Sequence, residues 1–317
     1  MTKNTEPVLL IGAGYMGIEF AKVLKALGKE FIVVGRGKKS ALEFEKEIGV
    51  KVFEGGIEKY LKENPKVLST AIVAISEEQL GSATISLLKH GVKKILAEKP
   101  GGSTFQEIKK VADLTKKKGA KVYLGYNRRF YASVEKAREI IRKDGGVLSL
   151  YFDFTEAVHK IVPLVRAPGV KENWFLHNST HVIDMAFYLA GLPKKINSQV
   201  AGSLSWHPAG AIFTGSGILQ NNALFSYHAN WKSAGRWAIE IMTKNRKLFF
   251  KPLENLQIQE TGSFEVKDYS LEDEIDINFK PGLYRETEAF FNSKRNLCTI
   301  EEQVDNCLLY TSDAADE

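Results

Sequence analysis

The sequence predicts an α/β domain built on a parallel sheet, followed by an α+β domain with a mostly antiparallel sheet. Three observations carry this. Residues 8–17 read VLLIGAGYMG, a short apolar run feeding a G-x-G-x-x-G turn at Gly12, Gly14 and Gly17. Apolar runs and helical patterns then alternate as far as Tyr126. After Gly145 the pattern changes to long strand candidates, several of them alternating, joined by short polar turns. At 317 residues and 44% hydrophobic content, the chain is large enough for two cores.

Val8 to Ile11 is β-branched and aliphatic, so it reads as the first strand. Phe20, Val23, Leu24 and Leu27 recur at helical spacing before Gly28 ends the segment. A glycine turn between a strand and a helix is the dinucleotide-binding fingerprint of a Rossmann domain. Gly12 permits the tight turn, Gly14 lets backbone approach a pyrophosphate, and Gly17 lets the helix lie on the strand, with the anion at the helix N-terminus. Next come the strand FIVV at Phe31 to Val34, a helix from about Ser40 to Ile48, KVF, a helix around Ile57 to Lys62, and the strand AIVAIS at Ala71 to Ser76. Ser40 with Glu43, and Thr104 with Glu107, fit the S/T-x-x-E capping box, in which hydroxyl and carboxylate satisfy open backbone amides at a helix start. KKILAEKP gives a buried strand, Phe105 to Lys118 a helix, and KVYLGY at Lys121 to Tyr126 a sixth strand. Such a sheet is parallel and covered on both faces, with ligands at the carboxyl ends of its strands.

In the second half, VLSLYFDFTEAVH, INSQVAGSLSW, AIFTGSGIL, NALFSYHANW, WAIEIMT and KLFFKPL are strand candidates, interrupted by one helix from about Thr180 to Ala190. A helix from about Leu283 to Phe291 leads toward the end. The expected division is 1–126 and 127–306. The last eleven residues, CLLYTSDAADE from Cys307 to Glu317, match the translation of a transposase adapter used in short-read library preparation, so 307–317 are expected to lie outside the natural fold.

Residues 1–150 carry 28 Lys+Arg against 17 Asp+Glu, and residues 151–317 carry 16 against 21. The basic half is the nucleotide half, which suits an anionic cofactor, although solvated lysines such as Lys116 to Lys118 explain most of the excess. No aromatic-basic motif of a nucleic-acid module and no apolar span long enough for a membrane is read, so neither partner is expected. Cys298 and Cys307 have neither metal-ligand spacing nor enough partners for a disulfide framework. That points to a reducing compartment, the cytoplasm, and no metal is expected.

G-x-G-x-x-G on the first strand, E-K-P at Glu98 to Pro100, GYNRRF from Gly125 to Phe130 and H-x-x-D from His181 to Asp184 resemble the family of glucose-fructose oxidoreductase, inositol dehydrogenase and rhizopine-catabolism proteins, Gfo/Idh/MocA. The resemblance covers nearly all of 7–306, and E-K-P is its specific element. It implies a Rossmann domain followed by an α+β domain whose large open sheet serves as an oligomer interface, hence a homodimer or homotetramer. It also implies NAD(P)-linked oxidation or reduction of a sugar, polyol or nucleotide-linked sugar, with Lys99 and His181 in the active site. Gly12, Gly14, Tyr15, Met16, Gly17, Arg36, Ser76, Glu98 and Lys99 are the cofactor-binding candidates. Tyr126, Asn127, Arg129, Trp174, His177 and Asn178 are the substrate-binding candidates.

The chemistry agrees with that assignment. A hydride leaving a carbinol carbon requires the hydroxyl proton to leave as well, and histidine is the side chain nearest the working pH. Asp184, one helical turn on, is placed to orient His181 or share its face. Lys99 would hydrogen-bond the reacting oxygen and stabilise developing negative charge. Pro100 biases it toward an extended backbone at a strand end. One departure stands out: many family members have an aspartate four residues before the histidine, where this chain has His177, so His177 is a further catalytic or substrate-contacting candidate. Trp174 reads either as a stacking surface for a sugar or as a packed aromatic.

Cofactor choice is read at the end of the second strand, where NAD sites place an acid and NADP sites an arginine nearby. Here VVGRGKKS puts Gly35 at the acidic position, followed by Arg36, Lys38, Lys39 and Ser40, which favours NADP(H) and leaves NAD open. Three functions remain: a sugar dehydrogenase or reductase, a redox-neutral glycosidase-type relative with tightly held dinucleotide, and a non-catalytic nucleotide-sensing regulator.

Overall fold

The computed structural model describes residues 6–271, 273–292 and 296–311, the side chains from residue 309 onward excepted. The described residues divide into two compact units, one of 6–126 together with those of Asn278–Cys307, the other of those of Asn127–Ile277 with 308–311.

The first unit begins with β1 (Val8–Ile11), α1 (Tyr15–Ala26), β2 (Phe31–Gly35), α2 (Lys38–Ile48), β3 (Val52–Glu54), α3 (Gly56–Glu63), β4 (Thr70–Val73), α4 (Leu80–His90), β5 (Lys94–Glu98), α5 (Phe105–Lys118) and β6 (Lys121–Gly125). These six strands pair only in parallel, in the order β6-β5-β4-β1-β2-β3. Every residue of β1 is buried, as a strand covered on both faces requires. Two helix starts test the capping reading. The Thr104 hydroxyl accepts from the Glu107 amide at 3.3 Å, and the Glu107 carboxylate accepts from the Ser103 amide at 2.7 Å, so that box forms. The Ser40 box does not. Helix α2 starts two residues earlier, at Lys38 with Gly37 before it, and the Ser40 hydroxyl donates to the Gly37 carbonyl at 3.0 Å.

The second unit contains α6 (Ala132–Lys143), β7 (Ser149–Asp153), the short α7 (Val158–Ile161), a π-helical turn (Phe175–Ser179) and α8 (Thr180–Ala190). Then come β8 (Pro193–Ala201), β9 (Ile212–Leu219), β10 (Leu224–Asn230), β11 (Ala238–Met242), β12 (Arg246–Phe250), β13 (Gln257–Glu260), β14 (Val266–Asp268) and the short α9 (Glu274–Asn278). Its eight strands run in the order β14-β13-β12-β11-β7-β10-β9-β8, antiparallel throughout except for the central β7–β10 pair. Helix α8 is buried at every position but Tyr188, which fits an almost wholly apolar helix lying in a core. Phe187 meets Phe152 and Phe225 edge-on at 5.5 and 5.3 Å.

The segment after Ile277 departs from the expected division. Residues 278–306 were assigned with the second domain, but α10 (Leu283–Asn292) packs on α1, and β15 (Cys298–Thr299) pairs antiparallel with β6 at the edge of the first sheet. Leu283, Phe290 and Ile300 are fully buried there, an apolar burial that holds the segment in the first unit. The adapter-like tail begins inside a helix. Cys307 lies in α11 (Ile300–Thr311), 2% exposed, and burial pushes its thiol up to about 12. Residues 312–317 lie outside the described residues.

Candidate active site

At the end of β1 the backbone turns through Gly12 at φ +120°, and a Cβ there would stand 2.0 Å from the Ala74 carbonyl oxygen. At Gly17 a Cβ would stand 2.0 Å from the Gly12 oxygen, so α1 could not approach the turn with any larger residue. Gly14 differs: a Cβ added to it meets nothing within 4 Å, and the residue is exposed. It precedes α1 without a side-chain cap, and no acidic residue lies in the helix's first turn. The amides of that turn therefore face open space with a positive helix end behind them, an arrangement that fits a pyrophosphate. Tyr15 is 66% exposed beside the turn, and Lys280 Nζ lies 5.5 Å from its ring centroid, adding a cation that the sequence reading did not identify.

Gly35 ends β2 under steric constraint. A Cβ there would stand 2.9 Å from Val52 Cγ1 and 3.1 Å from Ala13 Cβ, which disfavours an acidic side chain at this position. Arg36 follows, exposed, and α2 begins two residues later with Lys38 and Lys39 and no acid in its first turn. Ser76, a cofactor candidate, donates to Glu78 Oε1 at 2.6 Å. Burial pushes the Glu78 carboxyl up, but the Ser76 hydroxyl, backbone and Gln79 hydrogen bonds and the Arg36 charge outweigh it and hold the group below the usual range. At the end of β5, Glu98 and Lys99 are half-buried, and a Cβ on Gly125 of the neighbouring strand would meet Glu98 Cα at 3.4 Å.

In the second unit β7 and β10 run parallel, so their carboxyl ends emerge at one edge of the sheet, where antiparallel β11 begins. The Asn230 amide donates to the Thr155 hydroxyl at 3.0 Å, and Trp231 Nε1 donates to the Phe154 carbonyl at 3.2 Å, tying the two ends together. The next residue, Glu156, is 3% exposed; both its oxygens accept from Asn178 Nδ2 at 3.0 Å, and Oε1 also accepts from the Ser179 hydroxyl at 2.7 Å. These bonds pin the π-helical turn that carries His177, 2% exposed, into the start of α8, where His181 is 9% exposed. A π-turn of this kind commonly marks a functional position in a helix. The His181 ring lies 6.3 Å from the Trp237 ring.

Several substrate candidates have partners inside the protein. Arg129, 5% exposed, donates from Nε and Nη2 to the two Asp184 oxygens at 2.8 and 2.5 Å, a bidentate buried pair whose disruption costs roughly 3–5 kcal/mol. That pair gives Asp184 a guanidinium partner in addition to its place one turn from His181. The Tyr126 hydroxyl donates to Gln303 Oε1 at 3.0 Å, within the first unit. Trp174, 7% exposed, meets Trp206 edge-on at 6.3 Å, as a packed aromatic does, and Asn178 is committed to Glu156. Asn127 is 7% exposed in the turn that follows β6. Glu156, Arg128 and Trp237 are neighbours of the histidines that sequence reasoning passed over. The isolated TE after an alternating strand was Glu156's one local signal.

Among the described residues, no group of His, Cys, Asp and Glu is arranged to hold a metal, and no helix is long and apolar enough to cross a membrane. Residues 7–126 match the model of an oxidoreductase family with an NAD-binding Rossmann fold, Gfo/Idh/MocA. Over 76 residues the chain is 33% identical to glutathione reductase of Nostoc sp., a stretch that covers 23% of this chain and spans only 17% of the length of that relative. Solved structures align over nearly the whole chain. Levoglucosan dehydrogenase in complex with NADH and levoglucosan gives a TM-score of 0.76 at 17% identity, covering 98% of each chain. An oxidoreductase from Agrobacterium radiobacter, in complex with NAD+, L-tartaric acid and magnesium, gives 0.75 at 12% identity, covering 98% of this chain and 97% of its own. The UDP-N-acetylglucosamine 3-dehydrogenase of Acidithiobacillus ferrooxidans gives 0.71 at 16%, covering 96% of each. At these identities the structural likenesses carry the fold, a parallel Rossmann sheet followed by a large mostly antiparallel one. The family match and the glycine turn at Gly12, Gly14 and Gly17 identify residues 7–126 as an NAD-binding Rossmann domain of the Gfo/Idh/MocA oxidoreductase family.

Proposed function

We propose that the protein is an NADP(H)-dependent oxidoreductase of sugars, polyols or nucleotide-linked sugars. The observation that carries this reading is the open, uncapped α1 N-terminus at Gly14 in a domain matched to an NAD-binding oxidoreductase family. The named neighbours acting on levoglucosan and UDP-N-acetylglucosamine support the sugar class. A nicotinamide dinucleotide, when bound, would supply the hydride acceptor or donor. The chain's own residues do the rest: the α1 amides hold the pyrophosphate, Arg36 with Lys38 and Lys39 takes the 2′-phosphate, Lys99 donates to the reacting oxygen, and His181 takes or returns the hydroxyl proton. His177 contacts substrate from the π-helical turn. The exposed cross-strand pair Ile218 and Leu224, 37% and 60% exposed on the second sheet, supports a homodimer or homotetramer, read by light scattering in solution.

NAD(H) is the second reading, favoured by the Glu78 carboxylate within electrostatic reach of Arg36, where an acid could accept from a ribose hydroxyl. Fluorescence titration separates the two. Arg36→Ala should weaken NADPH by about 1.5–3 kcal/mol, the worth of a charge-assisted contact, and leave NADH nearly unchanged. Equal affinities in the unaltered protein would sink the NADP assignment. Lys99→Ala and His181→Ala should each lower kcat by roughly 10²–10⁴ without changing dinucleotide affinity. Full turnover by either variant would remove that residue from the chemistry.

A further inference from the structure

Beside His181, in the second unit, two guanidinium groups share one indole. Arg128 Cζ lies 5.1 Å and Arg236 Cζ 5.4 Å from the centroid of Trp237, a ring only 5% exposed and 6.3 Å from His181. Each residue is placed by something rigid. Arg128 adjoins Arg129, whose buried bond to Asp184 fixes the Asn127–Phe130 turn against α8, one helical turn from His181. Trp237 immediately precedes β11, whose first residue, Ala238, pairs with Asp153 at the end of β7. Arg236 closes the β10–β11 connection, which lies against the end of β7: a Cβ on Gly235 would stand 2.6 Å from Thr155 Cγ2, next to Glu156.

The charges are left over. Among the described residues, no carboxylate comes within 4.0 Å of either guanidinium. The Tyr131 hydroxyl, which feels the Arg128 charge, donates to Glu254 at 3.4 Å. Arg128 Nε is buried without a hydrogen-bond partner, an arrangement that a folded protein tolerates at a cost. Two like charges over one ring also repel. Stacking on an indole keeps a guanidinium charged while its N–H edge stays available, and that edge matches the oxygens of a carboxylate or phosphate. An oxyanion bound at these guanidinium edges would offset the repulsion between the two charges.

We infer that Arg128 and Arg236 form an oxyanion subsite, so that the substrate handled at His181 is an acidic sugar, carrying a carboxylate or a phosphate, and not a neutral polyol. This rests on the sugar-oxidoreductase reading above and narrows it. The test is a tryptophan-fluorescence titration of the NADP-loaded protein with glucose, glucuronate, glucose 1-phosphate and UDP-glucose. At least one anionic member should bind about tenfold or more tighter than glucose, and which one does so separates carboxylate from phosphate. Arg236→Gln and Arg128→Gln should each erase most of that preference while leaving glucose and NADPH binding unchanged. Arg236→Lys should restore part of it, and the exposed Arg236 keeps the test clear of folding effects. If glucose binds as tightly as every anionic sugar, or if the variants weaken neutral and anionic ligands alike, the pair is only a packing contact and the inference is overturned while the sugar reading stands. If no sugar binds, the sugar reading falls, and inorganic phosphate decides the rest. Binding of phosphate that Arg236→Gln abolishes upholds the subsite, and no such binding overturns it.

Discussion

Gly14 and Gly17 sit three residues apart and answer to different demands. The Gly17 position is closed by the protein itself, since a methyl there would press 2.0 Å from the Gly12 oxygen, whereas the Gly14 position opens on nothing within 4 Å. Gly17→Ala should therefore destabilise the fold by about 3 kcal/mol, as overpacking against backbone does, read by urea unfolding. Gly14→Ala should unfold like the parent, because its φ of −91° suits any residue, yet bind dinucleotide roughly tenfold more weakly, because a methyl would stand where the pyrophosphate must approach. Equal destabilisation by both substitutions would mean that Gly14 is structural too. These roles were legible in the sequence because a tight turn is a local event. The partners of Glu156 and Arg129 were not legible. Glu156 meets Asn178 and Ser179, and Arg129 meets Asp184, across 22 to 55 residues of chain, where no periodicity links them.

At the scale of elements, the same distinction separates what composition fixes from what packing decides. Thr104 and Glu107 form their box where the sequence placed it, but Gly37 lets the chain enter α2 before Ser40, so the second box has no helix start to cap. Helix α4 was not among the expected elements although Leu80, Ala83, Thr84, Leu87 and Leu88 recur at helical spacing and are all buried. In the second unit, Asp144 ends α6 and fastens it to the β11–β12 turn. Its carboxylate accepts from the Thr243 hydroxyl at 2.7 Å, Asn245 Nδ2 at 3.2 Å and Arg246 Nη1 at 2.5 Å. Burial raises the Asp144 carboxyl, and these three donors outweigh it, leaving the group below its ordinary 3.8. The folded value is the depressed one, so the clamp's contribution is whole above pH 3.8 and is lost as pH falls below it. Asp144→Ala should cost about 1–3 kcal/mol at neutral pH, because the Thr243 hydroxyl and Asn245 lose their acceptor while Arg246, 30% exposed, keeps Glu260 at 3.0 Å. It should also flatten the acid limb of a stability-against-pH curve measured by denaturant. An unchanged acid limb in the variant would show that other carboxylates govern acid unfolding.

For the whole molecule, the division of the chain between its two units was the least legible feature, because pattern reading follows the chain and the first unit does not. Its sheet is completed by Cys298 and Thr299 on the edge of β6, although Cys298 lies 174 residues after its partner Leu124 (298 − 124), since strand pairing is indifferent to sequence distance. Phe290 is fully buried, meets Tyr123 edge-on at 6.1 Å and lies 4.9 Å under Lys94 Nζ, while Tyr126 donates to Gln303, so the returning segment supplies core as well as an edge. Burial of an aromatic this size contributes roughly 1.5–3 kcal/mol, and Leu283 and Ile300, both fully buried, add similar amounts. Against a typical domain stability of about 5–15 kcal/mol, losing all three would leave little of it. Residues 1–126 expressed alone should therefore be unfolded or loosely packed by amide hydrogen exchange. Joined through a flexible linker to residues 278–311, they should regain protection and bind dinucleotide. Residues 127–277 hold their own eight-stranded sheet and the buried α8, and should fold alone with a cooperative thermal transition. A fragment 1–126 as protected and as competent for dinucleotide as the full chain would show that the returning segment decorates the first unit and does not complete it.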